Sequence, residues 1–411
     1  MFVIYDKEKQ RKPIKIWLKD KEDIEDGCLE QALNLSNLPF IHKWVALCPD
    51  THQGYGMPIG GVICTKNVII PNAVGVDIGC GMGFIETNIP ANLLKETNTD
   101  NGLLSQMLVG IIMRNIPTGF KKHKEPQDSI VSNKIKSVIY QDEQELLLEE
   151  ISNLYYQVGT LGGGNHFIEL QEDDKGNLCI MLHSGSRHFG YAVAKHFNNL
   201  AKELNQKWHS EVPIKNGLAF LPTDSKEGQD YIKYMQLAMQ YAKENRHVMM
   251  EKVKNYLFNV IKKYTDFDNI EIKMQVNAHH NYADIENHYG QNVWVHRKGA
   301  IRARKGDIGI IPGAMGSYSY IVKGLGNKES FDSCSHGAGR LMSRTKALDK
   351  YSTQEVMEDL KSNDVILGRT SKEKVADESR WAYKNIDEVI ENEKDLAKPI
   401  KKLKTIAVVK G

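Results

Sequence analysis

Apolar residues in the first ninety positions fall in short runs closed by Gly, Pro or Asn: 43–47, 61–64, 68–70 and 83–87. Runs this short, rich in Val and Ile, predict buried or half-buried strands. Further runs predict strands at 166–170, 178–183, 271–276, 293–296, 308–311, 318–322 and 405–409, whereas 101–114, 142–157 and 190–208 carry helical spacing. From about Ser225 onward, Tyr231, Met235, Ala238, Ala242, Met249, Val253, Leu257 and Val260 recur mostly at three or four residues. That stripe predicts one long amphipathic helix with a core-facing side. The polar, Lys-rich stretch 119–133 reads as a surface loop. Strands without strict βα alternation give an α+β fold with central sheets, flanking helices and a long helical insertion around 225–264. No repeat, low-complexity segment or linker divides the chain, so 1–411 is expected to be a single domain.

Composition narrows the classes. Across 411 residues, 41% hydrophobic and 26% charged content describe a globular protein with a sizeable core. Lys+Arg 54 against Asp+Glu 52 leaves a formal charge of +2, so any nucleic-acid contact must come from a local patch. No run approaches the roughly 18 apolar residues of a membrane span. The opening Met1–Glu8 is too short and charged for an export signal, which points to the cytoplasm. The six cysteines, at 28, 48, 64, 80, 179 and 334, form no CxxC pair and read as reduced thiols. Cys28, Cys48, Cys64 and Cys179 have apolar neighbours and read as core.

Cys80 differs, because it lies in Gly75-Val76-Asp77-Ile78-Gly79-Cys80-Gly81-Met82. A carboxylate and a thiolate three residues apart can reach one ion, and a thiolate can bridge two. His166 follows Gly162-Gly163-Gly164-Asn165, His183 opens Ser184-Gly185-Ser186-Arg187, and His280 precedes Asn281. These three, with Asp77 and Cys80, are enough for two metal ions. Thiolate and imidazole suit Zn2+; a carboxylate working on phosphates also suits Mn2+. His42, His123, His196, His209, His247 and His288 lack such contexts and read as ordinary hydrogen-bonded residues.

Ser335-His336-Gly337-Ala338-Gly339-Arg340 runs into a helix expected at 341–346, which would make a helix-start anion site with Arg340 adding bidentate charge. A neutral imidazole at His336 could attack a nucleoside triphosphate, with Asp50 as the carboxylate that fixes its tautomer. The basic run 294–305, with Arg187, could track polynucleotide phosphates.

Together these segments resemble the RtcB family of GTP-dependent RNA ligases across almost the whole chain. The supporting stretches include Pro49–Gly61, Gly159–Leu170, Val276–Tyr282, Ile311–Ser317, Ser335–Arg344 and Val409-Lys410-Gly411. The resemblance implies a two-manganese centre, with one ion on Cys80, His183 and His280, the other on Asp77, Cys80 and His166. It implies that His336 is guanylylated from GTP and oriented by Asp50. Asn165, Arg187, Asn281 and Arg340 fall where the family contacts phosphates. Ser335, Gly337, Ala338 and Gly339 frame the nucleotide, Phe167 and Tyr383 sandwich guanine, Glu169 accepts from its N–H groups, and Lys410 reaches the nucleotide. The implied reaction joins an RNA 3′-phosphate or 2′,3′-cyclic phosphate end to a 5′-OH end, in tRNA splicing or RNA repair, with an archease-type activator as a partner. Two departures, His188-Phe189 and Ser379-Arg380-Trp381, fall on the RNA and guanine sides. The alternatives are a metal-dependent cyclic phosphoesterase without ligation and a non-catalytic RNA-binding relative.

Overall fold

Two large sheets, almost wholly antiparallel, carry the chain in the computed structural model, which describes residues 1–100, 102–142, 145–369 and 375–411. The six-stranded sheet runs in the order Phe2–Ile4, Ile14–Ile16, Ile41–Tyr55, Met57–Thr65, Gln291–Lys298, Asn281–His288. The second sheet runs Ile272–His279, Gly81–Pro90, Asn177–Ser184, Phe167–Asp173, Ala397–Lys410, Tyr318–Gly324, Ile308–Ile311, with Ile366–Arg369 added in parallel beside Ala397–Lys410. Its end strands approach each other, so it is nearly closed.

Side-chain alternation gives that curved sheet two different faces. Leu178, Ile180, Leu182, Ile168 and Leu170 join the outer cluster beneath helices Leu104–Asn115 and Lys226–Tyr264. Cys179, Met181, Phe167, Met82 and Phe84 join the inner cluster. His183 and Glu169 have the inner parity, so polar groups enter at the mouth of an otherwise apolar interior.

The long helix Lys226–Tyr264 buries all eight stripe residues expected of it and joins the outer sheet cluster to a second cluster with helices Ile130–Gln141 and Arg187–Lys207. The helix expected at 101–114 is Leu104–Asn115, and Asn101 lies outside the described residues. In place of one helix over 142–157 there are Glu145–Leu148 and Glu150–Gln157, with residues 143–144 outside the described set. The loop at 119–133 ends early, because Ser129 Oγ accepts from Ser132 N at 2.9 Å and starts a helix at Ile130. The sequence reading also lacked the strand Asn281–His288, whose polarity reads as a loop. Two of its polar residues are paired in the interior, Glu286 meeting Arg297 at 2.5 Å and His288 at 3.2 Å, while Asp284 and Asn287 are exposed.

Candidate active site

The loop before strand Gly81–Pro90 presses against the long helix. Gly79 has φ +73, and a Cβ there would lie 2.8 Å from Met239 Cα, so the approach requires glycine. Two backbone bonds stitch this loop to the His280 segment: Gly79 N donates to Asn281 O at 2.8 Å and His280 N to Cys80 O at 2.8 Å. Asn281 secures the corner, with Nδ2 donating to Asp77 O at 3.2 Å and Oδ1 accepting from Gly299 N at 2.8 Å. Beneath it, the fully buried Arg246 donates to Gly79 O and Ser184 O, each at 2.9 Å, and to Asn277 Oδ1 at 2.8 Å. Asn245 Oδ1 accepts from Gly159 N at 2.7 Å and its Nδ2 donates to Gly185 O at 3.1 Å. The long helix therefore braces three ligand-bearing loops.

Metal-grade side chains converge above this brace. Cys80 Sγ lies 3.2 Å from His183 Nε2 and 3.4 Å from His166 Nε2. His183 Nε2 is 3.3 Å from His280 Nε2, and His166 Nε2 is 3.1 Å from Asp77 Oδ2. Cys80, His166 and His183 place their ligand atoms within 4.8 Å of one another. Burial holds His183 and His280 well below the ordinary histidine range, helped by neighbouring imidazoles, so both are neutral. His183 Nδ1 donates to Asn165 O at 3.1 Å, which directs its Nε2 lone pair at the cysteine. Burial pushes the Cys80 thiol up, and Asp77 adds to the effect. Burial also pushes the Asp77 carboxyl up, but the His166 hydrogen bond and the Arg187 charge outweigh it and hold the group below its usual range. Converging lone pairs, a buried thiol and a carboxylate are a donor set that fits divalent metal, and Cys80 lies within reach of both His166 and His183, as a bridging ligand would.

His336 stands beside this cluster, its ring centroid 4.7 Å from that of His280. It follows strand Ser333–Ser335, and Asp50 reaches it from strand Ile41–Tyr55. Asp50 Oδ2 accepts from His336 Nδ1 at 2.7 Å and from His336 N at 3.0 Å. Burial raises the Asp50 carboxyl, but these bonds outweigh it and keep the group ionised. With Nδ1 donating, Nε2 is left as the basic nitrogen. The helix expected at 341–346 begins three residues later, as Arg344–Lys350 capped by Ser343 Oγ, and 336–343 is a loop. Any anion at this loop must therefore use loop amides, without a helix terminus.

A cavity of about 540 Å³ opens in front of His336 and His183, within the roughly 300–1,000 Å³ of small-molecule sites. Asn165, Phe167, Glu169, Gly337, Ala338, Gly339, Arg340, Tyr383 and Lys410 line it. Ser335 lies just behind, buried, its N–H donating to Glu393 Oε2 at 2.9 Å. Glu169 is buried against Gln171 and Thr405, and burial pushes its carboxyl up to about 7. Sequence reasoning missed Glu378, the hub of the cavity floor. It takes Lys410 Nζ at 2.6 Å, Tyr383 Oη at 2.9 Å and Arg340 at 3.3 Å. Arg340 is further engaged by Asp377 O at 2.7 Å and stacks on Tyr383, 4.8 Å from the ring centroid. Arg187 borders the metal cluster, with one guanidinium nitrogen 3.2 Å from His166 Nδ1.

The basic run at 294–305 divides between the interior and the surface. Arg297 is buried on Glu286, Lys298 is buried with Nζ on Tyr55 O and Asn72 O, Arg302 pairs with Asp307, and Arg304 with Glu286. Arg297 and Lys298 are thus spent inside the protein, whereas Arg302, Arg304 and Lys305 are exposed. The two departures are absorbed locally: Phe189 enters the helical core, His188 pairs with Glu150 at 2.8 Å, and Trp381 packs on Tyr351.

A family model described as tRNA-splicing ligase RtcB matches residues 31–411. The RNA-splicing ligase RtcB of Escherichia coli is 39% identical over 406 residues, covering 97% of this chain and 97% of that protein. The tRNA-splicing ligases RtcB of Pyrobaculum aerophilum and Thermococcus kodakarensis are 30% and 31% identical, covering 98% and 94% of this chain and 95% and 92% of theirs. With matches of this extent, joined to a buried Cys/His cluster facing an Asp-bound histidine, the chain belongs to the RtcB family.

Proposed function

We propose that this chain is an RNA ligase that uses GTP and manganese to join a 3′-phosphate or 2′,3′-cyclic phosphate end to a 5′-OH end. The observation that carries the reading is the 2.7 Å His336–Asp50 bond one ring contact from the metal-grade cluster. Asp50 holds the proton on Nδ1, so Nε2 attacks the α-phosphorus of GTP, a P–N bond forms, and pyrophosphate departs with its bridging oxygen. An oxygen of the RNA 3′-phosphate then displaces His336 and takes the GMP. The 5′-OH finally attacks the 3′-phosphorus, expelling GMP and losing its proton to solvent; a cyclic end must first add water. Cys80, His183 and His280 would hold one ion and Asp77, Cys80 and His166 the other. When bound, they neutralise charge on attacking and leaving oxygens. Phe167 and Tyr383 would flank the guanine, with Glu169 and Lys410 reading the nucleotide and Asn165, Arg187, Asn281 and Arg340 meeting phosphates. Residues 1–411 would act as one catalytic unit. Six free cysteines, all buried, support a reducing cytoplasm, and among the described residues no helix is long and apolar enough to cross a membrane.

The test is incubation with α-labelled GTP and Mn2+, followed by addition of the two RNA ends. An acid-labile labelled protein, lost in His336→Ala, and a joined RNA are expected. Opening of cyclic ends without GTP and with His336→Ala still active would instead make the chain a phosphoesterase.

A further inference from the structure

The segment 119–124, Gly119-Phe120-Lys121-Lys122-His123-Lys124, has no part in the chemistry described so far. Phe120 is fully exposed, the most exposed of the large hydrophobic residues described. Three lysines and no acid lie within the same six residues, and all three are exposed. A chain with a formal charge of only +2 needs a local patch of this kind to hold a polyanion.

The tip is fixed in place by the rest of the fold. Leu161 N donates to Pro117 O at 2.9 Å, Gly119 N donates to Gly162 O at 2.8 Å, and Thr118 pairs in parallel with Gly162. At its far side, His123 N donates to Tyr156 O at 3.0 Å and His123 Nε2 meets Gly159 O at 3.2 Å. Gly119 has φ +63 and turns the chain outward there with nothing within 4 Å of a built Cβ. The tip is thus bonded to the Gly162-Gly163-Gly164 loop, which leads directly into Asn165 and His166. The guanidinium groups of Arg187 and Arg344 lie against Gly162 and Gly164 on that same loop. Cationic side chains therefore stand along this loop between the tip and the Cys80–His166 cluster, Arg344 also facing Glu378.

We infer that this tip is a docking site for single-stranded RNA, in which an unpaired base stacks on Phe120 while Lys121 and Lys124 take the flanking phosphates and lead the strand toward His166. An aromatic platform beside cations is how proteins hold single strands without reading sequence. Lys122 is partly committed to Asn153 Oδ1, so the other two carry the phosphate contacts. The inference rests on the ligase reading for the identity of the polyanion.

Fluorescence anisotropy with a single-stranded RNA bearing a 3′-phosphate tests it directly, on the full chain. Phe120→Ala is expected to raise Kd about tenfold, within the range for loss of one stacked base, and Phe120→Trp to restore it. The double variant Lys121→Ala, Lys124→Ala should lower the slope of log affinity against log salt by about 1.4, at roughly 0.7 per phosphate contact on a single strand. His336 labelling from GTP should stay within about twofold in all three. Unchanged affinity and slope would overturn the inference, and so would a parallel loss of labelling, which would trace the effect to the Gly162 loop. If the wild type neither labels nor joins RNA, the ligase reading fails separately, since RNA affinity is read without turnover.

Discussion

At the scale of single residues, the His336 environment makes two predictions. Asp50→Asn keeps the shape but replaces the acceptor that fixes the Nδ1 proton, so the ring can present the wrong tautomer. Labelling of His336 should slow by at least about 100-fold, in line with carboxylate orienters elsewhere, with bound metal unchanged by elemental analysis. Beneath it, Glu393 is wholly buried, accepts from Ser335 N and faces the Asp50 charge; burial pushes its carboxyl up to about 8. An unfolded glutamate releases its proton near 4.3. The folded protein thus keeps a proton that the unfolded chain gives up, and stability falls as pH rises from about 5 through about 8. Glu169, pushed up to about 7, acts in the same direction. Thermal melts of Glu393→Gln should vary less with pH over that window, and its Tm should exceed wild type at pH 9. A parallel decline in both proteins would refute the assignment.

Among the elements, those that follow simple periodicity were legible and those built on internal ion pairs were not. The long helix announced itself through its stripe, yet its functional contribution, Asn245 and Arg246, is a polar interruption of that stripe between Ala242 and Met249. A polar pair on a core face was the available signal. Arg246→Met should deprive Ser184 O of this donor and leave Gly79 O to His279 Nδ1 alone, destabilising the fold by about 2 kcal/mol as measured by urea unfolding, with metal content falling too. The residues of the Cys/His cluster were readable because each stands beside glycine or a small polar residue at a strand end. The fate of Arg297 and Lys298 was not, because a buried cation and a solvated one look alike until the partner strand Asn281–His288 is placed. The helix expected from 341 starts late for a related reason: Ser343, eight positions from the start of that motif at Ser335, is the residue that caps.

For the molecule as a whole, the cluster draws on residues 77, 80, 166, 183 and 280, so a metal held there would bind only where distant parts of the chain have met. A ligand that binds the folded state alone stabilises it by about 2.7 kcal/mol at 100 times its Kd. Chelation should therefore lower Tm by a few degrees, Mn2+ should restore it, and His183→Ala should respond to neither. Equal melting with and without chelator would mean that no metal is held.

The hydrogen bond between Asp50 and His336 spans 286 positions of sequence. Contacts so distant form late in folding, because closing a long loop costs chain entropy before anything is gained from it. After dilution from denaturant, helical circular dichroism should recover first, and the capacity to take a guanylate should lag behind it.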